Sequence, residues 1–160
     1  MATNDAIMSF DGTPFEVLLG ATAVVADANF SVDGTNCTQT EWDNSTDLWP
    51  MAKATFKGTF TAAPDEGSSI DLYYCENDLT GDVADDELVP TVTAQNGARY
   101  VGSFRVPGTN TTQYNMQIVI GTVGFQKGFF HIYNGGGDTL EITPTAWTVE
   151  IEGFTYGPSA

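Results

Sequence analysis

The feature that most constrains the fold is a period-2 alternation of apolar and polar residues in four separate segments. From Ala52 to Phe60, the even positions carry small or apolar side chains and the odd positions carry Lys or Thr. Successive side chains of an extended strand point to opposite faces, so this pattern indicates strands with one buried face. The same alternation occurs in residues 70–75, 114–120 and 147–152, and the out-of-phase pair Gly153-Phe154 then suggests a bulge or bend.

Shorter strand candidates and frequent turn signals complete an all-β pattern. Turn-forming runs such as Asp33-Gly34, Asn96-Gly97 and residues 134–138 separate the strands. No helical periodicity competes with this pattern, apart from a single turn suggested at residues 82–88. Eight to nine short strands in 160 residues predict an antiparallel β-sandwich of jelly-roll type. The shorter strands are expected at residues 15–19, 21–26, 100–106, 128–133 and 139–143.

The chain reads as one domain with extensions at both ends. We expect an N-terminal arm over residues 1–14, a sandwich domain over 15–156 and a short C-terminal tail over 157–160. The first residues lack the basic and apolar regions of a secretory signal, and no apolar run approaches membrane-spanning length. We therefore expect synthesis in a cytosol.

The charge balance excludes two classes of partner. The chain carries 21 Asp and Glu against 5 Lys and Arg, for a formal net charge of −16. Nucleic-acid binding needs clustered basic residues that displace counterions from phosphates, and anionic membrane surfaces attract the same residues. We expect neither nucleic acid nor membrane as a partner.

The sequence offers little catalytic chemistry. His131 is the only histidine, it lies within a strand-like segment, and no serine occupies a nucleophile-elbow motif. A three-histidine metal site is impossible with one histidine, and His131 is expected to be structural or interfacial. Carboxylate pairs are too numerous for counting to select or exclude a glycosidase-type pair. We expect no enzyme activity and no cofactor.

An acidic segment and two cysteines each leave an alternative open. Residues 76–87 loosely follow a calcium-loop rhythm, but the loop begins with Glu and follows a strand, which favours a solvated acidic loop. Cys37 and Cys75 are expected to be free thiols, with a late-forming disulfide as the alternative. The weak calcium candidates are Glu76, Asp78, Asp82 and Glu87.

Aromatic residues are the best candidates for an interaction surface. Trp42 and Trp49 bracket a polar turn and, with Phe10 and Phe15, are predicted to contact neighbouring subunits. The alternative places Trp49 and Trp147 in the core, with Trp42 covering a core edge. A third interpretation has Trp42, Trp49 and Tyr73 forming an exposed platform for sugars.

Several segments, taken in order, resemble a family of viral proteins. The DNST-x-L segment at 43–48 with the strand to Phe60, the strand at 70–74 and the YVGSF-x-V segment at 100–106 are similar to small virion structural proteins of tailed bacteriophages. The late strand and Gly-rich turn at 129–137 and the segment 139–144 extend the resemblance over about residues 43–145. The resemblance implies a single jelly-roll or sandwich unit that builds virions without catalysis, and it carries over no functional residues.

Together these observations predict a capsid decoration or cement protein. Its negative charge should keep it away from the packaged genome, which places it on the outer capsid surface of the virion. There it would bind the major capsid protein at capsomer junctions, as a homotrimer, with the N-terminal arm crossing neighbouring subunits. A tail adaptor or fibre-associated protein and a β-sandwich carbohydrate-binding module are the alternatives.

Overall fold

Two antiparallel sheets account for the strands found in the part of the chain that the computed structural model describes. These residues are 6–9, 13–20, 25–76, 91–108, 114–140 and 147–158. The strands are β1 (Ala6–Ser9), β2 (Phe15–Gly20), β3 (Asn29–Phe30), β4 (Cys37–Gln39), β5 (Trp42–Asp43), β6 (Met51–Gly58), β7 (Ser69–Glu76), β8 (Arg99–Arg105), β9 (Tyr114–Gly121), β10 (Lys127–Gly135) and β11 (Trp147–Pro158).

The strand order is that of a jelly roll. Sheet 1 has the order β4-β2-β11-β6-β9, and β1 also pairs with β11; sheet 2 has the order β3-β10-β7-β8, and β5 also pairs with β10. The long strands therefore form nested pairs, β2 with β11, β3 with β10, β6 with β9 and β7 with β8, that alternate between the sheets. This arrangement confirms the predicted β-sandwich.

The strongly alternating segments became the long strands, whereas several weaker predictions differ. Residues 25–26 are not in a strand, and Leu140 forms only an isolated bridge with Phe60. Residues 21–24 and 141–143 of the predicted strands and the helical turn at 82–88 lie outside the described residues. The extra strands β3, β4 and β5 have two or three residues each, too few for a periodic pattern to identify.

No bulge interrupts β11 at Gly153 and Phe154, where β11 pairs with β6 without a register shift. The irregularity lies on the other side of β11: Val149 pairs with Leu18 and Glu150 with Glu16, so the extra residue is Val17 of β2. Gly153 has a different reason to be glycine: a Cβ there would clash with the indole ring of Trp49.

Part of the predicted arm forms a strand. Residues 6–9 make up β1, which pairs with the end of β11 from Ala6 opposite Pro158 to Ser9 opposite Thr155. The first two residues of the predicted C-terminal tail belong to the same ladder. The physical reason is that β11 is twelve residues long and extends beyond β2, so its last backbone groups need another partner.

The core lies between the two sheets and is rich in aromatic residues. Trp147 is fully buried, and Gly20 on the neighbouring strand β2 makes room for its indole, because a Cβ at Gly20 would lie 2.6 Å from Trp147 Nε1. Gly58 on β6 makes room chiefly for Phe56, because a Cβ there would lie 2.5 Å from the Phe56 ring and 3.0 Å from Trp147 Cβ. Other fully buried large side chains are Phe56, Phe60, Ile70, Leu72, Phe104, Phe130 and Ile132.

Candidate interaction surface at one end of the sandwich

A buried asparagine joins two loops at one end of the sandwich. Asn44, in the loop between β5 and β6, donates from its backbone N–H to the carbonyl of Gln126, 2.6 Å away in the loop between β9 and β10. Its side-chain amide donates to the carbonyls of Trp49 (3.0 Å) and Phe125 (3.3 Å), and its Oδ1 accepts from the Trp49 N–H at 2.8 Å. These bonds satisfy a buried polar side chain completely and make the two loops one rigid unit.

Two further polar residues stabilise the same unit. Thr122 donates from its backbone N–H to the carbonyl of Pro50 at 2.9 Å and from its hydroxyl to that of Trp49 at 2.5 Å. Asp43 accepts from the backbone N–H and the hydroxyl of Ser45 and forms an ion pair with Lys127 at 2.8 Å. The hydrogen bond from Lys127, followed by those from Ser45, lowers the pKa of Asp43 to about 2. The Asp-Asn-Ser part of the DNST segment therefore shapes the loop.

The unit presents an apolar rim that consists of Leu48, Pro50 and Val123. Leu48 is 64% exposed and Val123 is 78% exposed, and both line a shallow cleft of about 230 Å³. Leu48 also has a φ of 53°, in the left-handed region, where a Cβ costs roughly 1–2 kcal/mol. Neither burial nor local geometry accounts for a leucine at this position, because glycine or asparagine would fit the backbone better.

A second cleft adjoins the rim and brings predicted interface residues together. Phe15, Trp42 and Trp49 line a cleft of about 250 Å³, and Trp49 also lines the cleft of the rim. Trp42 is only 3% exposed and packs edge-on against Phe130, so the structure supports its interpretation as a core-edge residue. Phe10, the fourth predicted interface residue, lies outside the described residues. The cleft also contains the acidic residues Glu41, Asp43 and Asp47.

The predicted three-residue sugar platform is not formed. Tyr73 lies on the outer face of sheet 2, where its ring meets Phe30 and Tyr100 at interplanar angles of 70° and 75°. Trp42 is buried and Trp49 lies at the end of the sandwich. Tyr73 therefore lies on a different surface from Trp42 and Trp49, which line one cleft, because β7 places Tyr73 on the outer face of sheet 2.

The weak calcium candidates do not form a described site. Glu76 is exposed at the end of β7, and Asp78, Asp82 and Glu87 lie outside the described residues. Within the described ranges, no group of three or more His, Cys, Asp or Glu side chains could hold a metal ion.

His131 is buried in a hydrogen-bonded position. Its Nδ1 lies 3.0 Å from the carbonyl oxygen of Ser31, which only accepts, so Nδ1 carries the proton. The side-chain nitrogen of Gln39 lies 2.9 Å from Nδ1 and 3.4 Å from Nε2 of the same ring, and it donates to the carbonyl of Phe130 at 2.8 Å. Burial lowers the pKa of His131, so the imidazole is neutral at pH 7.

Both cysteines are buried and neither forms a disulfide, as expected. Burial raises the pKa of Cys37 to about 12 and that of Cys75 to about 11, which keeps both sulfurs protonated. Protonated, buried thiols are poor nucleophiles, so neither cysteine has the properties of a reactive residue.

Comparison with known proteins finds no matching family model, no matching curated protein and no matching solved structure. Among the residues that the structure describes, no helix has the length and apolarity that crossing a lipid bilayer requires.

The sequence predicted Phe15 and Trp49 at this surface but missed Leu48, Val123 and Asn44. One signal was available for Leu48, a large apolar residue that directly follows the polar run 43–47. Val123 similarly lies between Thr122 and Gly124 in a turn. Nothing in the sequence connected Asn44 with residues more than eighty positions away.

Proposed function

We propose that this chain is a non-enzymatic structural protein of a bacteriophage virion that binds the outer face of the capsid shell and stabilises it. The observation that carries the proposal is the apolar rim, a strained and exposed leucine beside an exposed valine on a rigid double loop. Large apolar side chains held rigidly in solvent are typical of protein contact sites. The resemblance to tailed-phage virion proteins supplies the class of partner.

The backbone at Leu48 supports a contact role. A left-handed leucine raises the free energy of the isolated protein, and the exposed side chain recovers little of it by burial. In a complex, the same side chain would bury its surface against the partner. The net charge of −16 favours the outer surface of the shell, away from the genome.

The first test is quantitative mass spectrometry of purified particles. A copy number near that of the major capsid subunit, or near one third of it, would support a shell component. A few copies per hundred capsid subunits would instead support the tail adaptor or fibre-associated alternative. Absence from particles would overturn the virion proposal.

The second test separates binding from stability at Leu48. The Leu48→Asn variant introduces a residue that tolerates the left-handed backbone conformation. We therefore expect the free energy of unfolding to stay unchanged or to rise by up to about 1 kcal/mol. Binding to particles that lack the protein should weaken about tenfold or more, measured by co-sedimentation, because a contact side chain is lost. Val123→Asn should weaken binding in the same way.

The matched control is Tyr100→Asn, which removes an exposed aromatic side chain from the outer face of sheet 2. We expect this variant to bind particles like the wild type. If Leu48→Asn and Val123→Asn both bound particles as tightly as the wild type, the apolar rim would not be the capsid-binding surface.

Carbohydrate binding is the second candidate function, and it rests on the lining of the second cleft. Phe15 and Trp49 line the second cleft with Glu41, Asp43 and Asp47, and aromatic rings beside carboxylates can stack on a sugar and accept from its hydroxyls. Titration with soluble glycans should then quench tryptophan fluorescence in the wild type, and Trp49→Ala should abolish the response. No quenching by any glycan at millimolar concentration would exclude this role.

A further inference from the structure

The free edge of sheet 1 lacks the features that normally prevent strand pairing between molecules. β9 is the last strand of this sheet and pairs through all eight residues with β6, without a register shift. In an antiparallel strand, alternate residues direct their N–H and C=O groups away from the paired neighbour. Within the described residues, no backbone group outside sheet 1 bonds to residues 115–121, so this edge offers an unpaired row of donors and acceptors.

Edge strands usually carry a charge, a proline or a bulge, or they are very short. The edge strands β3, β4 and β5 have only two or three residues. At the far edge of sheet 2, β8 has Arg99 and Arg105 at its ends and a register shift opposite Leu72 and Tyr73. β9 has none of these features. Among the described strands of six or more residues, it is also the one without a charged side chain.

We infer that β9 is a self-association surface, which pairs antiparallel with β9 of a second copy across a two-fold axis. This inference does not depend on the proposed capsid role. The geometry is self-complementary: an axis at Gln117 places the two Gln117 side chains opposite each other and Asn115 opposite Val119 of the second copy. All three side chains are exposed and uncharged, and paired amide side chains form hydrogen bonds across strands.

Charge favours a second copy at this edge over approach at other surfaces. Two chains of net charge −16 repel each other, so contact is least costly where acidic residues are absent or neutralised. The strand next to β9 carries Lys53 and Lys57, which form ion pairs with Glu152 and Glu150 on β11. At this edge of sheet 1, β9 therefore carries no charged side chain, and the lysines of the next strand, β6, are neutralised by glutamates of β11.

The test is sedimentation velocity of the purified chain from about 1 μM to about 1 mM, a range that spans weak to moderate dimer affinities. We expect a monomer–dimer equilibrium in the wild type. The double variant Gln117→Lys, Val119→Lys should dimerise at least about tenfold more weakly, because like charges then face each other across the axis. Its two lysines change the formal net charge from −16 to −14, which would strengthen association if overall repulsion were decisive.

The matched control is Thr38→Lys, Thr93→Lys, which makes the same charge change at exposed positions away from β9. It should dimerise at least as well as the wild type. Hydrogen exchange of the wild type provides a second readout that needs no variant: amides of residues 115–121 should become more protected as concentration rises. A monomer at every concentration, or a trimer that both double variants leave unchanged, would overturn the inference.

Discussion

The outer faces of the two sheets are built from the same alternating pattern but differ in what covers them. On sheet 1, the outward positions of β6 and β11 hold the ion pairs Lys53–Glu152 and Lys57–Glu150, with partly exposed side chains. On sheet 2, the outward positions hold Phe30, Tyr73, Tyr100 and Tyr133, whose rings form a continuous series of contacts. The outer face of sheet 1 therefore carries ion pairs, and that of sheet 2 carries a partly buried aromatic cluster.

Chain crossings explain this difference. The backbone N–H of Phe30 donates to the carbonyl of Val92 at 2.8 Å, while β8, which begins at Arg99, lies at the opposite edge of sheet 2. Residues 92–99 therefore run from one edge of sheet 2 to the other. On the side of β3, Ser31 and Gln39 bond to His131 and its neighbour Phe130. Phe30 and His131, which point outward from sheet 2, are buried. No described segment bonds across the lysine–glutamate pairs of sheet 1.

The largest expected effect concerns Phe30, which is only 5% exposed although it lies on an outer face. Its ring centroid lies 4.9 Å from that of Tyr133 and 5.3 Å from that of Tyr73. Phe30→Ala should lower the free energy of unfolding by about 3 kcal/mol or more, as for a core phenylalanine. Urea denaturation measures this change. As a control on the same face, Tyr100→Ala should cost less than about 1 kcal/mol, since this side chain is mostly exposed.

The stability of the protein should depend on pH through His131, which lies on the outer face of sheet 2. The pKa of His131 in the folded state lies below its ordinary value of 6.5, because burial disfavours the imidazolium. As pH falls below about 6.5, the unfolded chain binds a proton that the folded chain does not, so stability decreases. His131→Gln keeps a donor for the Ser31 carbonyl and should flatten the stability profile between about pH 6.5 and 5. Identical slopes for the two proteins would contradict this account.

The smallest effect is expected on the face of sheet 1. Lys57 and Glu150 are both partly exposed, and such pairs contribute about 0.2–1 kcal/mol. A double-mutant cycle with Lys57→Met and Glu150→Gln should give a coupling energy in this range, which decreases as salt is added. A coupling energy as large as the decrease in the free energy of unfolding caused by Phe30→Ala would mean that the outer faces of sheets 1 and 2 are equally buried.

The candidate surface illustrates how much sequence patterns foresee. Phe15 and Trp49 were predicted at an interface because large aromatic residues beside polar turns are typical of contact sites, and both line the same cleft. Trp42 has the same sequence setting but is buried. Leu48 was missed because neither its exposure nor its left-handed backbone is encoded by its neighbours alone.

The sequence by itself determined the all-β class, the positions of the long strands and which side chains of each strand point away from the core. It did so because period-2 alternation is a local property of an extended chain. Only the tertiary structure decided the strand order, the pairing of residues 6–9 with the C-terminal strand and the contact of Asn44 with Phe125. It also decided which outer face is covered, because alternation specifies the side of a sheet to which a residue points, and the path of distant segments determines whether that side meets water.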